Sequence, residues 1–199
     1  DAESGKKLLD LGVQDSKLIK SDKRIAELAR GIRATVPDGW VEVALKPATY
    51  NELYRKIGNL NRLLAWGHAR VIENLLEKVP ACPRMLSDKF GDESLIRRAL
   101  MTRGRGIQLD QQVRAESDVA VAAASILARD GFVRGMAQLS EQLGVTLQRG
   151  AGPGVKALAQ ELFARHGEDI FPTCAKVHFK TWYEVTGRPV PEKPQYIVR

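Results

Sequence analysis

Cysteine is scarce in this sequence, and long apolar runs are missing. The two cysteines, Cys82 and Cys174, lie far apart without the spacing of metal ligands. A disulfide framework is therefore unsupported, and reduced thiols in a cytoplasmic protein are the simplest expectation. No run of about 18 apolar residues occurs, so we predict no membrane-spanning helix. The first residues, DAESGKK, lack the apolar stretch of a signal peptide, and none is expected here.

Several patterns that mark common catalytic sites are also missing. The three histidines, His68, His166 and His178, form no HxxxH pair and join no CxxC pattern, which argues against a zinc site. GxSxG, Walker A and GxGxxG patterns are not found. A nucleophilic serine hydrolase, a P-loop nucleotide enzyme and a dinucleotide-binding enzyme are therefore not predicted.

The charge and the apolar content favour a folded, basic protein. Apolar residues make up 44% of 199 residues, enough for one domain with a full core or a domain with a small appendage. The net charge of +7 favours a polyanionic partner, with nucleic acid as the first candidate. The plainer alternative is that many proteins are mildly basic without a specific reason.

Apolar spacing predicts alternating strands and helices, which is typical of an α/β layer architecture. Ser21 is a predicted helix cap, and the Pro-rich tail from Gly187 is expected to be extended or disordered. One predicted helix follows Ser21 and contains the apolar repeat from Ile25 to Ile32. The other predicted helices cover about 49–78, roughly 92–101, 118–143 and 153 to near 167, and the predicted strands cover 40–45, 84–87 and 107–109.

Three carboxylates stand where an α/β fold places ligand sites. Asp88 directly follows the apolar segment RMLS, and ligands gather outside strand ends in open α/β sheets. Glu116 and Asp118 precede the alanine-rich segment VAVAAASILAR, where either acid can supply a second metal ligand. Simpler explanations remain open. An aspartate after a strand can cap a helix, and the helix dipole stabilises acidic side chains at a helix start.

Arginines are concentrated between positions 97 and 114. This stretch contains five arginines and a single acid, Asp110. The arginines are Arg97, Arg98, Arg103, Arg105 and Arg114. They can follow the phosphates of a nucleic acid. A solvated helix face is the commoner explanation for such a group.

Several segments, in order, resemble ribonucleases of the type 2/type 3 branch. LGVQDSKLIKSDKR (11–24) resembles a DSK-containing segment of ribonucleases HII and HIII. YNELYRKIGNLNRLLAWGHARVIENLL (50–76) is similar to a helical region typical of ribonuclease HIII. The other matching segments are LSDKFG (86–91), RAESDVAVAAASILAR (114–129), GAGPGV (150–155) and AKVHFKT (175–181). One such match is weak evidence, whereas six in order are highly specific.

The resemblance implies a ribonuclease H-like fold with a mixed sheet flanked by helices. It implies an endonuclease that cleaves the RNA strand of RNA–DNA hybrids and leaves 5′-phosphate and 3′-hydroxyl ends, with two ions, Mg²⁺ or Mn²⁺, held by carboxylates. Asp88 matches the third acid of that cluster. Glu116 matches the fourth, with Asp118 as the alternative. Asp15, Ser16 and Lys17 match the DSK segment, which implies contact with the hybrid backbone.

The chain departs from the family pattern at its start. The first two acids of the family lie in a DExGxGD segment on a first strand, whereas this chain opens with DAESGK. We interpret that similarity as accidental, because Asp1 lies too close to Asp15 and Ala2 separates Asp1 from Glu3. We therefore expect an N-terminally incomplete catalytic domain over residues 1–186, without its first strand or strands, followed by a tail over 187–199.

This departure leaves the activity of the chain open. The first alternative is a monomeric nuclease domain of a cytoplasmic enzyme, and the second is an inactive or non-catalytic hybrid-binding fragment without the first Asp-Glu pair. A third alternative is another nuclease of the same fold superfamily, such as an integrase-like enzyme. The LLAWGHA and AAASILAR segments argue against that third alternative.

Overall fold

Two short strands pair in parallel in the computed structural model, which describes residues 1–191. Strand β1 (Arg84–Asp88) pairs with β2 (Gln108–Gln112), and Asp88 stands opposite Gln112 at the end of the ladder. Helix α5 (Ser94–Ala99) lies in the connection between them, as parallel strands require a crossover. The strand predicted to end before Asp88 and the strand predicted near Ile107 are confirmed. The sheet over the described residues is a parallel pair, whereas a mixed sheet was expected.

Helices make up most of the remaining structure. Their bounds are α1 (Ala2–Asp10), α2 (Asp22–Thr35), α3 (Pro47–Ile57), α4 (Leu60–Lys78), α6 (Val119–Leu143), α7 (Pro153–His166), α8 (Phe171–Cys174) and α9 (Lys180–Thr186). Short 3-10 turns cover Ser16–Leu18, Gly104–Gly106, Ala115–Ser117 and Glu168–Ile170. Across residues 1–191, no helix has both the length and the apolar character to cross a membrane.

Local signals placed several helix ends correctly. Ser21 caps α2 by accepting a hydrogen bond from the Arg24 backbone N–H at 3.3 Å, as its position before the apolar repeat predicted. Pro153 stands in the first turn of α7, and Gly167 ends that helix with a φ of 70°. The predicted long helix before residue 143 is confirmed as α6.

The predicted helix over residues 49–78 is two helices. Gly58 has a φ of +68° between α3 and α4, a left-handed conformation that interrupts a helix. Asn59 then caps α4, because its side-chain oxygen accepts a hydrogen bond from the Arg62 N–H at 3.0 Å. Apolar spacing continues across a break of this size, so the pattern did not reveal it.

The strand predicted over residues 40–45 is wrong, because these residues form no strand. Alternating apolar and polar residues do not make a strand unless a neighbouring backbone pairs with it through hydrogen bonds. Side chains hold this segment instead. The guanidinium of Arg33 and the ammonium of Lys78 lie 5.0 Å and 5.5 Å from the ring centre of Trp40. The Glu42 carboxylate accepts hydrogen bonds from Arg33 and Arg134.

The chain divides into two compact units. Among the described residues, the first contains 1–44 and 57–135, and the second contains 45–56 and 136–191. The single catalytic domain over 1–186 stays a prediction, and residues 192–199 of the predicted tail lie outside the described residues. The first unit has two apolar clusters. One joins α1, α2 and the start of α6, and the other joins α4, α5 and β2.

In the second unit, Asn51 of α3 binds a segment near the C-terminus. Its amide nitrogen donates to the carbonyl oxygens of Pro172 and Ala175 at 3.1 Å and 2.8 Å, and its amide oxygen accepts from the Val177 N–H at 3.1 Å. Tyr54 stacks on His178 with 3.8 Å between ring centres. One amide and one ring pair therefore fix α3 against residues 172–178.

Candidate active site

Asp88 lies at the end of β1, and its side chain points toward the segment after β2. The Ala115 backbone N–H donates to Asp88 Oδ1 at 3.4 Å. Because the parallel pairing ends at Asp88 and Gln112, the chain leaving β2 must pass this carboxylate. The topology therefore brings the two acidic segments of the sequence to the same strand end.

A left-handed residue makes the turn that presents Glu116. Arg114 has a φ of +58°, and within residues 1–191 it is the one non-glycine with a positive φ. Such a conformation costs a side-chain-bearing residue about 1–3 kcal/mol and is concentrated at functional sites. The 3-10 turn Ala115–Ser117 follows at once, with Ala115 contacting Asp88 and Glu116 next in the chain.

Glu116 and Asp118 have different surroundings. The Glu116 side chain is 22% exposed, and its Oε1 lies 3.4 Å from the ammonium nitrogen of Lys17. Asp118 caps α6, because its Oδ1 accepts hydrogen bonds from the N–H groups of Ala120 and Val121 at 2.8 Å and 3.4 Å. This arrangement favours Glu116 as the partner of Asp88.

The Asp15-Ser16-Lys17 segment forms a tight turn beside Glu116. The Asp15 carboxylate accepts from the Lys17 N–H at 2.9 Å and so orders the turn. Ser16 is buried with 8% of its surface exposed, whereas the Lys17 side chain is 75% exposed. Lys17 is therefore the member of the segment that is open to a ligand.

Arg129 anchors this turn, and sequence reasoning missed its role. One guanidinium nitrogen donates to the carbonyl oxygens of Ser16 and Ile19, both at 2.6 Å, and another lies 3.2 Å from the Asp22 carboxylate. The arginine ends the segment AAASILAR in α6. The signal for this role in the sequence was one cationic residue, Arg129, within an apolar, alanine-rich helical segment.

An open groove of about 440 Å³ runs along this side of the first unit. Asp15, Arg114 and Glu116 line it together with apolar side chains that include Leu9 and Leu18. Leu9 and Leu18 are 60% and 67% exposed. The groove thus combines charged groups of both signs with exposed apolar side chains.

His68 lies behind Asp88 and is a second residue that sequence reasoning did not connect to the site. Its Nδ1 is 3.2 Å from the hydroxyl oxygen of Ser87, the residue before Asp88. The Phe90 ring centre lies 5.0 Å from the His68 ring. Burial lowers the pKa of His68 below its ordinary value, although the negative charge of Asp88 acts in the opposite direction. The LLAWGHA segment contained the signal for this residue.

The carboxylates at the start of the chain are engaged elsewhere. Asp1 caps α1 by accepting a hydrogen bond from the Ser4 N–H at 2.8 Å. Glu3 lies 2.7 Å from the ammonium of Lys7, one helical turn later. Asp1 and Glu3 therefore make ordinary helix-stabilising contacts. We interpreted their similarity to the first acids of the family motif as accidental.

The arginine-rich stretch is partly used for internal contacts. Arg97 donates to the Leu109 carbonyl oxygen at 2.9 Å, and Arg105 donates to that of Leu100 at 3.1 Å. Arg98 bonds the Ser94 hydroxyl at 2.6 Å. These guanidinium groups therefore stabilise the connection around α5. Arg114 is the member of the group that lines the groove.

The donor set suits a hard cation but is small. Asp88 and Glu116 offer carboxylate oxygens, the ligands that Mg²⁺ and Mn²⁺ accept most readily. Within the part of the chain that the structure describes, no group of three or more histidine, cysteine, aspartate or glutamate side chains is close enough to hold a metal. Asp88 at the strand end and Glu116 on the adjoining turn are the two carboxylates that could hold an ion, and such an ion would take its remaining ligands from water or phosphate.

Comparison with known proteins gives a consistent result. The family model for ribonuclease HII matches residues 1–182. Ribonuclease HIII of Chlamydia pneumoniae is 47% identical over 187 residues, covering 93% of this chain and 61% of the relative. Ribonuclease HIII of Protochlamydia amoebophila is 41% identical over 182 residues, covering 92% and 59%.

A solved structure agrees with these relatives. Bst-RNase HIII in complex with Mn²⁺ superposes with a TM-score of 0.83 at 31% identity, covering 94% of this chain and 61% of that one. The predicted α/β, ribonuclease H-like fold is thereby confirmed. The chain spans about three fifths of the length of the relatives and structure it matches.

Proposed function

Because the chain belongs to the ribonuclease HII family, we propose that it supplies the catalytic portion of an endonuclease that hydrolyses the RNA strand of RNA–DNA hybrids. The products are 5′-phosphate and 3′-hydroxyl ends. One observation supports this proposal above the others: the carboxylate of Asp88 and the turn bearing Glu116 meet at one strand end, joined by the Ala115 N–H. A ribonuclease HIII of similar fold binds Mn²⁺.

In this proposal Asp88 and Glu116 hold the metal. Two bound divalent ions, Mg²⁺ or Mn²⁺, would supply an activated water and stabilise the leaving oxygen of the scissile phosphate. The side chains of the protein hold and orient the reacting groups. Asp88 and Glu116 provide the negative charge, and Ala115 N–H donates to Asp88 Oδ1, limiting the rotation of that carboxylate.

The DSK turn is proposed to meet the hybrid backbone. Lys17 projects an exposed ammonium beside Glu116, where it can neutralise a phosphate. Asp15 shapes the turn through the Lys17 N–H. Ser16 contributes its backbone, which Arg129 holds in place. Recognition of this kind reads the shape, phosphates and 2′-hydroxyls of the hybrid, and no single base is expected to be selected.

The test is cleavage of a labelled RNA–DNA hybrid by the 199-residue chain with Mg²⁺, with Mn²⁺ and with a chelator. Metal-dependent cuts in the RNA strand that leave 5′-phosphate ends would support the proposal. A matched DNA duplex serves as the control substrate. Equal cutting of hybrid and DNA duplex, or cutting in the presence of chelator, would contradict it.

A second candidate is a hybrid-binding fragment without catalysis. The observation that favours it is the use of Asp1 and Glu3 in helix contacts, which leaves two acids at the strand end. Fluorescence anisotropy of the same hybrid separates the candidates. Tight binding without cleavage supports the second, and neither binding nor cleavage refutes both.

Three further parts of the proposal concern the surroundings of the protein. We propose a cytoplasmic location, a monomeric state and no contact with membranes. The scarcity of cysteine in the sequence motivates the proposed location. Sedimentation of the purified chain tests the monomeric state, and labelling in intact cells tests the location.

A further inference from the structure

The hydrogen-bonded neighbours of Asp88 extend to a half-buried histidine, His68. His68 Nδ1 lies 3.2 Å from the Ser87 hydroxyl oxygen, and that hydroxyl donates to the Asp88 carbonyl oxygen at 3.1 Å. Ser87 itself is buried, with 5% of its surface exposed. A side chain on α4 is thus linked through one hydroxyl to the backbone of the proposed metal ligand.

The direction of these bonds follows from the number of protons. A serine hydroxyl has one proton to donate. Because the Ser87 proton is directed at the Asp88 carbonyl oxygen, the contact with His68 requires Nδ1 to carry a proton and donate it to Ser87 Oγ. The imidazole is therefore the donor at the start of a two-bond chain that ends on Asp88.

This chain acts where other restraints on Asp88 are weak. The strand pairing ends at this residue, followed by one backbone bond from the Lys89 N–H to the Gln112 carbonyl oxygen at 3.0 Å. The hydrogen bond to the Asp88 carboxylate from Ala115 is long, at 3.4 Å. In contrast, His68 is held firmly. Its ring packs near Phe90, and the neighbouring α4 residues Ala65 and Ala69 are buried in an apolar cluster.

We propose that His68, acting through Ser87, is a positioning residue that sets the orientation of the Asp88 carboxylate for metal binding. The inference rests on the proposed function, because it assumes that Asp88 is a ligand. Neither residue touches the substrate in this proposal. Partners that orient a ligand typically contribute 10–100-fold to metal affinity or activity.

The experiment measures Mn²⁺ affinity of the 199-residue chain by the electron paramagnetic resonance signal of free Mn²⁺. The variants are H68A, H68N and S87A, with H166A as the control because His166 is exposed at the end of α7. Asparagine places a side-chain N–H close to the position of Nδ1 and therefore keeps the donor. Thermal unfolding of each variant reports its folding independently of the metal.

H68A and S87A are expected to bind Mn²⁺ about 10-fold or more weakly than the unmodified chain. H68N is expected to recover affinity to within about threefold, since it retains the donor. H166A is expected to match the unmodified chain. If H68A is too unstable to test, S87A tests the same link, because it removes one oxygen and preserves the packing of the imidazole.

The outcomes separate this inference from its premise. Unchanged Mn²⁺ affinity in folded H68A and S87A overturns the positioning role while leaving Asp88 as a ligand. An H68N variant that is folded but as weak as H68A also overturns it, because packing rather than the donor would then matter. No Mn²⁺ binding by the unmodified chain contradicts the proposed metal site itself.

Discussion

Arg129 provides the sharpest test of how the DSK turn is held. Its two 2.6 Å hydrogen bonds reach the carbonyl oxygens of Ser16 and Ile19, both buried residues, and it also contacts the Asp22 carboxylate. We consider R129M, which keeps most of the apolar stem and removes the guanidinium. The change leaves two carbonyl groups without their charged donor.

The magnitude follows from these contacts. Hydrogen bonds to charged groups contribute about 1.5–3 kcal/mol each, and a buried acceptor left unpaired costs about 1–3 kcal/mol. The ion pair with Asp22 adds little, because its side chains are 25% and 39% exposed. We therefore expect R129M to lower the free energy of unfolding by about 3 kcal/mol. For a chain of this size the corresponding fall in Tm is roughly 6–12 °C.

Urea unfolding followed by circular dichroism measures this change. The midpoint should fall while the m-value stays constant, since the surface exposed on unfolding is unchanged. R30M is a matched control because Arg30 is exposed on α2, and it should change stability by less than about 0.5 kcal/mol. A loss in R129M no larger than in R30M would refute the anchoring role of Arg129.

Three other predictions test the strand end, a buried carboxylate and a histidine. D88N should abolish hybrid cleavage in any form of the protein that cleaves, and its hybrid affinity should stay within about threefold of that of the unmodified protein. The amide has the size of the carboxylate but lacks the charge that metal binding needs. Retained cleavage would show that Asp88 is not part of the site. E73A should lower the free energy of unfolding in urea by about 3 kcal/mol. The buried Glu73 accepts hydrogen bonds from three backbone N–H groups, those of Met101, Arg103 and Gly104. E77A is the exposed control, and equal losses in E73A and E77A would contradict this role. Burial, and secondarily Lys176, lowers the pKa of His178, so folding favours its neutral form; stability should be full above the unfolded pKa of about 6.5 and fall as the pH drops below it. H178F should show a smaller loss between neutral and acidic pH in thermal unfolding, and identical pH profiles would refute this assignment.

The sequence predicted those parts of the fold where local and tertiary preferences agree. Ser21 is both a good cap and the residue before an apolar repeat, so α2 begins where expected. RMLS is apolar in its centre, and Asp88 lies where β1 ends. The approach of residues 114–118 to Asp88 could be expected from the family resemblance. That Asp118 caps α6 could not, because it depends on where the helix begins.

The remaining features depend on contacts between distant residues. The segment 40–45 alternates like a strand, yet Arg33, Lys78 and Arg134 hold it through side chains. The break at Gly58 preserves apolar spacing and so cannot be seen from periodicity. Arg129 and His68 were visible only as residue types, because the backbone carbonyl oxygen and the hydroxyl that they contact lie 113 and 19 positions away.

The contacts of Asn51 have a consequence for the order of synthesis. Its amide donates to a carbonyl oxygen 121 positions later in the chain, so a ribosome must reach residue 172 before α3 can form this contact. Closing a loop of this length costs on the order of 4 kcal/mol in chain entropy. During that interval Tyr50 and Tyr54 lack their later partner His178. A nascent chain paused before residue 172 should thus be more readily bound by chaperones than the finished protein.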